Sequence, residues 1–459
     1  MIKKVSIITS LILMLLVIAQ SGFSQETKAL TLQECIEIAL QNNSSLRIAD
    51  YQVKSAGTNV ATARSYLLPS INSSFSSGKS IQGARTILGD VPVGFDPETG
   101  ATIYERREIL QDGYETNYHS ARISLDQNIF DFGRSYNYLK ATKANRKSAQ
   151  HTLMNTRNLV ISNVKQAYYD LLKQYRLKEV YEEAVKVSQE QVDRVQTMME
   201  IGLASQAEVY QARVTLGSGQ TTLINQVNNI EIYKANPNNA LGRYPSTSLE
   251  IIEDKEETFF PEYNFDQAVE MALQNNEELK AMDQEVRANQ YNIRYAKSAY
   301  MPRIGGSASY SRNNDDAGRV YTSELDKDFS VNIGASLNLN IFNGFADKAA
   351  VQRNTINYNI AIENFEEAKR QLLSNVKQYF LQLQAYKDIL EINKQNIEAY
   401  EENLRLQMEK RRVGSGTELE VSQAQYELTQ AKSNLVQAEY NAKVARAQLE
   451  AVLGIIEQK

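Results

Sequence analysis

The chain has 459 residues, with 50 Lys and Arg against 55 Asp and Glu, and a formal net charge of −5 at pH 7. The two signs are interspersed, so there is no basic footprint for nucleic acid. Two histidines and one cysteine leave no His/Cys metal cluster, no catalytic triad and no internal disulfide. We therefore expect no enzyme, no metal and no cofactor. Mean hydropathy is −0.45 with only 7 Pro and 21 Gly, the composition of long solvated helices.

In chain order, the basic MIKK is followed by the apolar VSIITSLILMLLVIA and by small residues up to Ser24. This reads as a secretory signal peptide over 1–24, because the apolar run is short of the ~20 residues a spanning helix needs. Cys35 lies well downstream inside a helical pattern, so it is a small core residue and not a lipid-attachment site.

The remainder is written twice. NVKQ at 163–166 recurs at 375–378, and the same displacement of 212 carries SLDQNIF (124–130) onto SLNLNIF (336–342) and Gly202 onto Gly414. Upstream, ALQNN at 39–43 recurs at 272–276 and Pro69 matches Pro302, a displacement of 233. The first copy therefore holds 21 more residues between its two strands, read as a long loop over 78–118.

Each copy has the same parts. The first (25–242) has a helix over about 31–67, a β-hairpin over 70–131 and a long αα-hairpin over 134–242. A linker (243–264) leads to the second (265–459), with a helix over about 265–300, a β-hairpin over 303–342 and an αα-hairpin over 346–454. The runs 134–201 and 346–413 contain no Gly or Pro and are read as helices of roughly 100 Å. Tyr181, Val185, Ser188, Val192, Val195 and Met199 recur at alternating steps of four and three, a coiled-coil seam. Gly217, Gly219 and Pro237 predict a bend in the first return helix.

The strand Phe329–Ile341 alternates with one apolar face, Phe329, Val331, Ile333, Ala335, Leu337, Leu339 and Ile341, and one face of Ser, Asn and Gly. Lipid on one side and water on the other is the condition that pattern satisfies, as in a membrane β-barrel; a β-sandwich with one buried face is the alternative. Four strands per chain cannot close alone, since unpaired edges in hydrocarbon cost several kcal/mol per group. Two chains would close eight strands and three would close twelve, and the strand count does not choose.

These features resemble the TolC-like outer-membrane efflux proteins over essentially the whole mature chain. The resemblance rests on the paired helix starts LQECIEIALQNN and FDQAVEMALQNN, the strand-to-helix steps NIFDFG and NIFNGF, and the hairpin turns MEIGLASQAEVYQA and RRVGSGTELEVSQA. It implies a mainly α fold with membrane β: a homotrimer whose twelve-stranded β-barrel continues into a twelve-helix α-barrel. It also implies an outer-membrane protein extending into the periplasm, the passive duct of a tripartite system for small molecules. Its partners would be a periplasmic adaptor and an inner-membrane transporter. Ile201, Gly202, Leu203 and Ala204, with Val413, Gly414, Ser415 and Gly416, would then be adaptor contacts at the hairpin tips. Family members close the tip with paired acids, and the matching positions here are Glu420 and Gln423, with Glu208 as the first-copy equivalent. Alternatives are the exit channel of a type I protein-secretion system or a non-conducting periplasmic coiled-coil scaffold or adhesin.

Overall fold

The computed structural model describes residues 29–253 and 260–456; the leader read over 1–24 and the centre of the linker lie outside them. The chain forms two compact units. One comprises residues 55–147 and 284–362 and holds the β-structure. The other comprises 1–54, 148–283 and 363–459, and its described residues are mainly helical.

In the first unit, β1 (Ser70–Gln82), β4 (Tyr114–Phe130), β5 (Arg303–Asn314) and β6 (Ser330–Asn338) form one antiparallel sheet in the order β1-β4-β5-β6. The two sequence copies thus meet at the β4/β5 pair. Register decides what each face carries, because directly opposed residues point the same way. Ile71 opposes Leu125, Leu125 opposes Ala308 and Ala308 opposes Ile333, an apolar row across all four strands. One residue along, Asn72, Ser124, Ser309 and Asn332 form a row of small polar groups.

The structure corrects the sequence reading in four places. β6 ends at Asn338, so Phe329, Leu339 and Ile341 lie outside the strand. β5 begins at Arg303, paired to Asn338, and among the described residues no strand pairs with 339–341. The segment 78–118 is not a loop: β1 and β4 continue through it, and β2 (Arg85–Phe95) and β3 (Thr102–Gln111) form a separate two-stranded ribbon. Its turn is closed by Asp96, whose carboxylate accepts from the N–H groups of Glu98 (2.9 Å) and Thr99 (3.3 Å), and by Gly100 at φ 68°.

Third, each leading helix is broken once, into α1 (Leu32–Asn42) and α2 (Ser44–Ser65) in one copy and α6 (Phe265–Asn275) and α7 (Glu277–Lys297) in the other. The breaks fall at Asn43 and Asn276, both extended (ψ 125° and 119°). The short α8 (Ala317–Val320) lies between β5 and β6, and α3 (Arg134–Glu200) and α9 (Ala346–Arg412) are single helices of 67 residues. Fourth, the return helix α4 (Gln206–Tyr233) passes through Gly217 and Gly219 unbroken and yields only at Lys234, before α5 (Ala235–Ala240). Pro237 has no N–H to give Tyr233, and its ring crowds that carbonyl. The corresponding helix α10 (Glu418–Leu453) runs without interruption.

Among the described residues, the helical unit has two apolar clusters, the first built mainly from the first copy with Tyr440 and Ile456 of the second, and the other built from the second copy. Cys35, Ala39, Val164, Leu171, Ile230 and Leu241 belong to the first; Ala268, Ala272, Leu372, Val376, Leu449 and Leu453 belong to the second. Burial pushes the Cys35 thiol up to about 11, so it stays a neutral packing group.

Two sequence motifs far apart in each copy prove to be one joint. The Asn43 amide donates to the Ala240 carbonyl at 3.1 Å, and Asn276 donates to Val452 at 3.1 Å. Gly242 (φ 72°) and Gly454 (φ 73°) lie so close to these breaks that a Cβ would stand 2.7 Å from the carbonyl oxygens of Asn42 and Asn275. Gly242→Ala and Gly454→Ala should therefore each lower the thermal midpoint of the purified protein, at a cost of about 1–3 kcal/mol. Gly57→Ala, in α2 with no atom within 4 Å of the new Cβ, should be neutral or slightly stabilising in the same measurement.

Candidate functional site

The residues singled out at the two hairpin turns form matching structures. α3 ends at Gly202 (φ 79°), whose N–H reaches the Met199 carbonyl at 2.9 Å while Leu203 reaches Met198 at 2.8 Å. α9 ends at Gly414 (φ 80°), with Gly414 bonded to Arg411 at 3.2 Å and Ser415 to Lys410 at 2.9 Å. No atom lies within 4 Å of a Cβ at either glycine, so the left-handed backbone, and not crowding, calls for glycine there. Gly416 differs, since a Cβ would sit 3.0 Å from the Lys410 Cβ.

Each turn then starts its return helix with a capping box. Ser205 caps α4: its N–H donates to Glu208 Oε2 at 2.7 Å, and Glu208 N–H donates to Ser205 Oγ at 3.3 Å. Thr417 and Glu420 repeat the arrangement at α10, at 2.7 Å and 3.3 Å. A cap of this kind contributes roughly 1 kcal/mol. It also fixes the charge, because the N–H groups of Ser205 and Thr417 hold the Glu208 and Glu420 carboxyls below the usual carboxylate range. Gln423 points along its helix, donating to Glu427 at 2.8 Å.

Around these caps the tips present uncovered aliphatic side chains. Ile201, Leu203 and Val413 are 65%, 67% and 68% exposed, whereas Ala204 and Gly416 are half-buried and Ser415 is exposed.

Sequence reading missed the polar contacts that tie the two hairpins together. Glu418, 2% exposed, accepts the Gln191 amide at 2.9 and 2.8 Å, and burial pushes its carboxyl up. Arg411 pairs with Glu208 at 2.7 Å and stands 3.9 Å from Glu418. One continuous set of contacts thereby joins α3, α4, α9 and α10. Nearer the helix middles, the Gln425 amide donates to Ser188 Oγ at 2.9 Å. The available signal was a difference between the copies: Glu418 and Arg411 stand where the first copy has Gln206 and Met199.

The strand residues of the apolar face are the second group. Val331, Ile333, Ala335 and Leu337 lie in β6, an outer strand of the sheet, and all four are exposed in the single chain. Beyond Asn338, Phe342 and Phe345 pack edge to face at 5.3 Å, matched at the end of β4 by Phe130 and Phe132 at 4.7 Å. Among the described residues, no helix is long and apolar enough to cross a membrane.

Comparison with known proteins agrees with this geometry. The chain is 23% identical over 392 residues to the probable efflux pump outer membrane protein TtgC of Pseudomonas putida, covering 82% of this chain and 74% of that one. It is 23% identical over 323 residues to the outer membrane efflux protein BepC of Brucella suis, covering 70% and 63%. Among solved structures, CusC superposes with a TM-score of 0.78 at 18% identity, covering 92% of each chain. VceC of Vibrio cholerae superposes at 0.76 and 19% identity, covering 92% and 96%. The sequence profile described as outer membrane efflux protein matches residues 35–243 and 268–455, both copies of the repeat, and the chain belongs to that family.

Proposed function

We propose that the protein is the passive outer-membrane duct of a tripartite efflux system for small molecules, working as a homotrimer with a periplasmic adaptor and an inner-membrane transporter. The observation that carries this reading is the sheet register: an apolar row crosses all four strands on one face and a row of small polar groups crosses them on the other, with β1 and β6 as outer strands. In hydrocarbon every strand N–H and C=O must be paired, so β1 of one copy joins β6 of the next until the sheet closes. Three copies supply twelve strands, with the polar face lining the water-filled interior. The leader at 1–24 would direct export and be removed.

The hairpin tips are the proposed adaptor contacts. Ile201, Leu203 and Val413 offer apolar area in a region otherwise rich in charge, and the glycine turns keep the backbone close to whatever docks. Glu208, Glu420 and Gln423 are the proposed rim of the periplasmic mouth. Three copies of a capped carboxylate converging on an axis favour cations over anions.

The first test is single-channel conductance of the purified protein in a planar bilayer, with its mass measured in parallel. A trimer with discrete cation-preferring openings is expected, whereas a monomer that never enters the bilayer would defeat the barrel. Ile333→Arg should abolish recovery from the outer-membrane fraction, since a charge on the lipid face costs roughly 2–4 kcal/mol at the midplane; Asn332→Arg, one residue along on the other face, should be tolerated. Leu203→Asp with Val413→Asp should abolish drug export in a complementation assay while leaving trimers at normal abundance. Because the Thr417 N–H favours the ionised Glu420, its charge should persist as pH falls through 4.5, the ordinary Glu value. Cation preference at that pH should therefore drop in Glu420→Gln, and equal reversal potentials for the two proteins would remove Glu420 from the mouth.

A further inference from the structure

The helix ends nearest the sheet carry a charge pattern that the duct itself does not use. Residues 55–69, 134–147 and 286–303 contain ten lysines and arginines and not one aspartate or glutamate, in a chain with a net charge of −5. All three segments lie in the unit that holds the sheet. They are the end of α2 leading into β1, the start of α3 leaving β4, and α7 with the turn leading into β5.

These cations are organised on tyrosines. The Arg134 guanidinium lies 5.0 Å from the Tyr295 ring centroid, and Lys140 Nζ lies 4.5 Å from Tyr136 and 5.5 Å from Tyr291. Arg294 approaches Tyr291 at 5.7 Å. Tyr138 fills the space between, 5.6 Å from Tyr295 and 5.7 Å from Tyr66. Elsewhere on the long helices basic groups pair with glutamates one turn away, as Arg405 does with Glu402 at 2.7 Å. Arg134, Lys140 and Arg294 have no carboxylate partner among the described residues, and nearby Asp131 is occupied in capping α3 through Ser135 N–H at 2.9 Å. Beside them lies uncovered apolar surface, including Leu68 (62% exposed), Tyr66 (55%) and Tyr136 (54%).

Aliphatic groups, then aromatic rings, then cations is the order of side chains across a membrane–water interface. Arg134 follows the Phe130–Phe132 pair by two residues, and six further residues of helix place Lys140 about 9 Å beyond it. The polar headgroup layer is roughly 5–8 Å deep on each side of a bilayer, and flexible basic side chains span the difference.

We propose that this tyrosine-backed basic collar binds the phosphates of anionic phospholipids in the periplasmic leaflet and so sets the depth at which the sheet sits. The proposal rests on the reading of the sheet as membrane-embedded. It differs from an anion site in the lumen in that the bound phosphate belongs to a lipid.

The test uses full-length protein reconstituted into vesicles of phosphatidylcholine alone and of phosphatidylcholine mixed with phosphatidylglycerol. Lipid retained after detergent extraction is measured by native mass spectrometry, and conductance is recorded on the same preparations. Wild type should retain phosphatidylglycerol over phosphatidylcholine by roughly tenfold or more, with the preference falling as salt is raised. The triple variant R134Q/K140Q/R294Q should conduct normally and lose that preference. Wild-type channels that conduct but retain the two lipids equally would overturn the collar and leave the duct standing. A variant with altered ion selectivity and unchanged lipid preference would place the cations on the lumen and overturn it too. Protein that neither inserts nor conducts in either vesicle would defeat the duct reading itself. Should the triple variant fail to assemble, the salt dependence of wild-type retention decides, and a salt-independent ratio counts against the proposal.

Discussion

Every strand N–H and C=O group needs a partner, and that constraint governs the rest of this protein. The four strands of one chain satisfy one another only in the interior of their sheet; β1 and β6 each present an outer edge. Among the described residues of one chain, no strand pairs with either outer edge. The same requirement is met where β4 and β5, from opposite halves of the sequence, pair directly. The faces of the sheet contrast in the same way, with Asn72, Ser124, Ser309 and Asn332 in one row and Ile71, Leu125, Ala308 and Ile333 in the next.

Duplication supplied the two copies, and each keeps its own fastening. The Asn break and the closing Leu-Gly recur at Asn43 with Gly242 and at Asn276 with Gly454, with amide-to-carbonyl distances of 3.1 Å in both. The copies diverge elsewhere. Pro237 interrupts one return helix and not the other. The β2/β3 ribbon enlarges one hairpin only. Arg411 and Glu418 join the hairpins from the second copy alone, replacing a methionine and a glutamine of the first. Exact symmetry within a chain would make alternate helices interchangeable, and these differences remove that degeneracy.

The tip glutamates illustrate how one residue serves folding and chemistry together. Glu208 and Glu420 stand at the third position of their helices, where a carboxylate closes the capping box and meets the positive end of the helix dipole. The bonds that start the helix also stabilise the ionised carboxyl. The lowered carboxyls at the two turns therefore follow from local helix geometry.

Much of the architecture was legible in the chain because its signals are local and periodic. Alternation marked the strand around Ile333, absence of Gly and Pro marked the 67-residue helices, and one displacement of 212 aligned the copies. The turn glycines were visible because a left-handed φ is a demand on a single residue. What the sequence could not determine involves partners distant along the chain. Strand ends depend on where a neighbour stops, so β6 closes at Asn338 because β5 opens at Arg303. A helix break at Asn43 depends on a carbonyl almost two hundred residues away, and ALQNN by itself reads as continuous helix. The buried Glu418–Gln191 contact and the stacking of Arg134 on Tyr295 likewise exist only once separate helices are laid together. Periodicity reports which face a residue occupies, whereas burial, register and charge pairing are decided by what tertiary packing sets against that face.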